Sequence, residues 1–117
     1  MVKFRVEHRH PDNSLSCGCL QGFVFSPYCK LTERLGDPKR YADDGDSKLR
    51  VEWQVTFSDG TCCEIYDWHT DGHLPLEQVR WWHIGGFSPK AVELVGFIMD
   101  QPTTLTENVG DDYEIPF

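Results

Sequence analysis

The feature that most constrains this chain is the alternation that runs through residues 49–68. Leu49, Val51, Trp53, Val55 and Phe57 are apolar, while Arg50, Glu52, Gln54 and Thr56 between them are polar. A period of two is that of a strand with one face turned to a core and the other to water. Ser58-Asp59-Gly60 supplies a three-residue loop with glycine where a positive φ is wanted, so the chain returns as a β-hairpin over 61–68. That loop length sets the register: Phe57 faces Thr61, Val55 faces Cys63, Trp53 faces Ile65 and Val51 faces Asp67. On the outer face Glu52 lies across from Tyr66, and Arg50 across from Trp68 as a cation–π pair. The core face thus ends in a carboxylate.

The remaining elements are read outward from this hairpin. Val2, Phe4 and Val6 alternate with Lys3, Arg5 and Glu7 as a half-buried strand, and residues 20–25 suit a second short strand. Ser26-Pro27 reads as a cap followed by a first-turn proline, and Tyr28, Leu31 and Leu35 at helical spacing before Gly36 give a helix over 27–35. Residues 77–84 read as the third strand of a meander, ended by Gly85-Gly86. Either Val79, Trp81 and His83 point inward, or Arg80, Trp82 and Ile84 do. Ser88-Pro89 opens a second helix over 89–99, closed by Pro102. The expectation is an α+β domain over 1–99, with a small antiparallel meander sheet of about four strands and two short helices. Residues 100–117 hold five acids and no Lys or Arg, and are expected to form an acidic, partly mobile tail.

Charge is unevenly spread over the 117 residues. The net value is −8, yet residues 1–40 hold seven Lys/Arg against four acids and residues 41–117 hold four against fifteen. An acidic surface repels phosphate backbones and anionic lipid, which disfavours nucleic acid and membranes as direct partners and favours a protein with a basic surface. No apolar run reaches the length of a membrane span and the start lacks a signal-peptide core, so a cytoplasmic location is expected, for a monomer or homodimer. The five cysteines are then expected to be free thiols.

Motifs for metal or covalent chemistry are weak. Cys17-Gly18-Cys19 and Cys62-Cys63 lack the knuckle spacing of structural zinc sites, and adjacent strand residues point to opposite faces. His69 and His73 are four apart, but Asp71-Gly72 breaks a helix and no Glu follows the first histidine as a zincin needs. The chain has no Gly-x-Ser-x-Gly elbow and no phosphate-binding glycine loop. Neither a metal nor a cofactor is expected. The most informative polar pair is Asp67 with His83. A buried carboxylate needs donors, and the backbone N–H groups of the 69–73 loop are the plain source. The sharper reading is a ligand pocket framed by Asp67, Trp68, Trp82 and His83 with the amides of Gly85 and Gly86.

The segment Glu52-Trp53-Gln54-Val55-Thr56-Phe57-Ser58-Asp59-Gly60-Thr61, with Ile65-Tyr66-Asp67-Trp68 and Trp82-His83-Ile84-Gly85-Gly86, resembles a group of small uncharacterised bacteriophage and other viral proteins. Leu35-Gly36-Asp37-Pro38 upstream also resembles their pattern, and the likeness extends over about residues 28–95. Cys62-Cys63 depart from it, standing where small or apolar residues are expected. The resemblance implies a phage gene product in the bacterial cytosol. With the acidic charge, it points to a non-enzymatic protein that binds and inhibits a host or antiviral-defence protein, such as a nucleic-acid-binding nuclease complex. The partner-binding residues would be Asp43, Asp44 and Asp46 of the acidic loop and Asp111, Asp112 and Glu114 of the tail, with exposed aromatics. The alternative is a module that binds or sequesters a nucleotide signal in the Asp67–Gly86 pocket.

Overall fold

The computed structural model describes residues 3–7, 19–40, 50–67 and 75–105. The central hairpin forms as its alternation dictates. Strand β4 (Val51–Phe57) pairs antiparallel with β5 (Cys62–Tyr66), with Val55 opposite Cys63, Trp53 opposite Ile65 and Glu52 opposite Tyr66. Phe57 N donates to Thr61 O at 2.7 Å, and Gly60 adopts the positive φ of 92° that its turn requires.

Around it the described residues build seven strands rather than four. β1 (Phe4–Glu7) lies on one side of β4, and β6 (Trp81–Gly86) follows β5. Next come β2 (Cys19–Phe25) and β7 (Thr103–Leu105), while β3 (Lys39–Arg40) also pairs with β4. The order is β1-β4-β5-β6-β2-β7, all antiparallel. Two of the additions are short strands that follow a proline. Pro38 precedes β3 and Pro102 precedes β7, and runs of two and three residues are too short to show an alternation of their own. β7 falls in the segment expected to be a tail, so the sheet continues past residue 99. Thr103, Thr104 and Leu105 pair with Val24, Phe23 and Gly22, and Pro102 O accepts from Phe25 N at 2.9 Å.

The third strand begins later than its sequence pattern implied. Pro75 starts a 3-10 turn (Leu76–Gln78), and β6 then runs through Gly85 and Gly86 instead of stopping before them. Gly86, like Gly22 in β2, serves packing. A Cβ on Gly86 would lie 2.8 Å from Ala91 Cβ, and one on Gly22 would lie 2.8 Å from Val92 Cγ2. Glycine here lets helix α2 (Lys90–Met99) approach the sheet backbone closely.

Helix α1 (Tyr28–Leu35) and α2 cover one face of the sheet. Pro27 and Pro89 themselves take the cap positions, one residue earlier in role than a first-turn proline, and neither serine caps through its side chain. Ser26 Oγ instead donates to Pro27 O at 3.0 Å. Gly36 ends α1 at φ 83°, its N–H bonded to Thr32 O at 2.9 Å. Its carbonyl accepts the Trp53 indole N–H at 2.8 Å, which ties the helix end to β4. The core between the layers contains Leu31 and Leu35, Trp53, Val55 and Ile65, Trp82 and Ile84, with Val92, Val95 and Met99 from α2.

Candidate functional site

Asp67 and His83 were the sequence's sharpest polar pair, and the structure gives them different jobs. Asp67 follows β5 at the place where the hairpin register sets it against Val51. Its Oδ1 accepts the N–H groups of Arg50 and Val51 at 2.8 and 3.0 Å, and its Oδ2 accepts Arg50 Nε at 2.7 Å. The carboxylate is 1% exposed and the guanidinium side 28%. The donors therefore come from the start of β4, whereas the 69–73 loop lies outside the described residues. Arg50 spends its Nε–H on Asp67; Trp68, its expected partner, is also outside them. An acidic side chain held by two amides and an ion pair works as a clamp that closes the hairpin's open end.

His83 lies on the other side of the sheet. Of the two registers considered for its strand, the one with Trp82 and Ile84 inward holds, and both are fully buried. His83 is buried as well, on the opposite face, stacked on Tyr66 at 5.4 Å and edge-on to Phe23 at 5.0 Å. The six-residue ligand pocket is accordingly not assembled by the described residues. Trp82 is walled in by Tyr28 and Trp53 at ring distances of 5.9 and 5.6 Å, and its indole N–H donates to Ser26 O at 2.9 Å. Gly85 and Gly86 sit inside the sheet, between Glu64 and Cys63 on one side and Leu20 and Cys19 on the other.

What the pairing does bring together is a row across the second face: Lys39, Glu52, Tyr66, His83, Phe23 and Thr104 on consecutive strands. Beside it, Gln54 Nε2 donates to Glu52 Oε1 at 2.9 Å, and Glu52, Gln54 and His83 are each less than a tenth exposed. Only the Glu52–Tyr66 pair of this row was legible, since the hairpin register already set those two residues opposite one another. The rest needed the partner strands. Burial lowers the His83 pKa from 6.5 to about 4, against an opposing pull from the Asp67 charge. The imidazole is neutral at pH 7, and its stacking and burial suit it to packing more than to proton transfer with a substrate.

This gives a pH prediction. The unfolded chain protonates this imidazole near pH 6.5, whereas the folded chain resists protonation down to about 4, so unfolding takes up a proton in that window. The His83 contribution is complete above pH 6.5 and is lost as the pH falls toward 4, by up to about 3 kcal/mol. Denaturant titrations of wild type and His83→Phe at both ends of the window should show the variant gaining relative to wild type at the acid end. An unchanged difference between the two would refute the assignment.

Among the described residues no group of three or more His, Cys, Asp or Glu is placed to hold a metal. Cys19, Cys29, Cys62 and Cys63 form no disulfide. Burial raises the Cys63 thiol pKa well above its usual range, which leaves that thiol inert near neutrality. No described helix is long and apolar enough to cross a membrane. Asp43, Asp44, Asp46, Asp111, Asp112 and Glu114 lie outside the described residues. No family model, curated protein or solved structure matches the chain.

Proposed function

We propose that the chain is a non-enzymatic viral protein that binds a host or antiviral-defence protein through two acidic stretches of its sequence. One observation carries this reading. The described residues hold nine Lys/Arg and ten Asp/Glu, so almost all of the net charge of −8 belongs to the rest of the sequence, chiefly residues 43–46 and the last twelve. Charge needed only for solubility has no reason to concentrate in this way. A concentrated acidic segment attracts and steers a basic surface, including one that ordinarily holds phosphates. The viral context and the bacterial cytosol as the place of action rest on the resemblance alone.

The test is capture of partners from a bacterial host extract by the wild-type chain and by two neutralised variants. One carries Asp43, Asp44 and Asp46 changed to Asn; the other carries Asp111→Asn, Asp112→Asn and Glu114→Gln. A specific partner should be released as salt rises, and should bind at least about tenfold more weakly to one or both variants. Undiminished capture by both variants at low salt would remove the acidic segments from the mechanism.

A further inference from the structure

Helix α2 turns an unusual face to solvent. Ala91, Val95 and Ile98 are buried against the sheet, and Lys90, Glu93, Phe97 and Asp100 recur at intervals of three, four and three along the opposite side. Phe97 stands in that stripe 69% exposed, and Phe87, just ahead of the helix, is 72% exposed. Beside the stripe a groove of about 570 Å³ opens between the first half of α2 and β7, walled by Lys90, Val92, Glu93, Thr103, Thr104 and Leu105. A protruding ring and an open groove thus share one face of one chain, separated by the single helical turn from Glu93 to Phe97.

We propose that this face binds a second copy of the chain, the two α2 helices crossing antiparallel about a two-fold axis level with Val95, each Phe97 seated in the other chain's groove. The charges favour that direction. Lys90 begins the stripe and Asp100 ends it, so reversal sets Lys90 beside Asp100 of the partner subunit, twice over, whereas a parallel arrangement would set like beside like. The contact is isologous: knob meets groove on both sides at once, and the pair closes without further growth. Lys90 is already steadied by a 2.7 Å ion pair with Asp59 in the β4–β5 turn, both side chains remaining substantially exposed. The patch is small and each chain carries −8, so the dimer is a weak one.

Sedimentation equilibrium of the full chain over a concentration series tests this. Wild type should show reversible dimerisation, and Phe97→Asp should weaken it by about tenfold or more while leaving thermal unfolding unchanged, because Phe97 is a surface residue. Lys90→Asp and Asp100→Lys should each weaken self-association, yet the two variants mixed together should pair, since opposite charges then meet at both ends. A monomer at every concentration overturns the proposal and leaves the face to a partner of another kind. So does a dimer indifferent to Phe97→Asp, or a failure of the mixed variants to pair when each alone is folded.

Discussion

Replacing Asp67 by alanine should destabilise the protein by about 4 kcal/mol, the cost of breaking a buried ion pair and orphaning the donors around it. The loss exceeds that of an ordinary ion pair because one carboxylate accepts from two backbone amides and from Arg50 Nε together. Without it the Arg50 and Val51 N–H groups at the mouth of the hairpin lose their acceptor where water has little access. Asp67→Asn keeps one acceptor oxygen but turns an amide N–H₂ toward Arg50 or the backbone donors, so about half of the loss is expected. Arg50→Ala leaves the carboxylate its two amide donors but takes away the counter-charge of a buried anion, and should cost about 2 kcal/mol. Urea unfolding of the three variants gives the order directly. If Asp67→Ala and Arg50→Ala proved equal, the amides would not be what the carboxylate serves.

The second large effect belongs to one of two adjacent tryptophans. Trp82→Ala should cost about 4 kcal/mol, since it empties a fully buried site between Tyr28 and Trp53 and strands the Ser26 carbonyl. Trp82→Phe refills most of the space without the N–H and should cost about 2 kcal/mol. Trp81 is half-buried, edge-on to Phe25 near the rim of the sheet at 5.2 Å, and Trp81→Ala should cost about 1 kcal/mol. The same unfolding measurement decides the matter, and comparable losses at the two positions would contradict the burial of Trp82.

How far these residues could be read from sequence depended on whether the deciding contact was local. The β4–β5 register followed from alternation and from Ser58-Asp59-Gly60, because a short loop fixes which residues face one another. The helices followed from Leu31, Leu35 and their counterparts in α2, whose spacing is itself local. The direction of Trp82 did not follow. Alternation distinguishes faces only when one of them is wet, and β6 buries Trp82 on one side and His83 on the other. Gly85-Gly86 looked like a strand terminator because the closeness of Ala91 is a tertiary fact. β7 was hidden among acids, since three residues that pair with Gly22, Phe23 and Val24 leave almost no pattern of their own. The clamp on Asp67 was half visible: its need for donors was plain, and the register already put Val51 opposite it, yet the nearer loop drew the assignment.

The strand order has a consequence for how the molecule is made. β2 leaves the ribosome early, but its neighbours in the sheet are β6 and β7, so Phe23 waits for His83 and Thr104, more than fifty residues further along the chain. The β4–β5 hairpin has only a short loop to close, whereas β2 is not paired on both sides until the chain has been made as far as Leu105. Such late, distant pairing makes for slow folding and leaves β2 open to wrong strands in the interval. A chain interrupted before residue 103 would keep that vulnerability permanently.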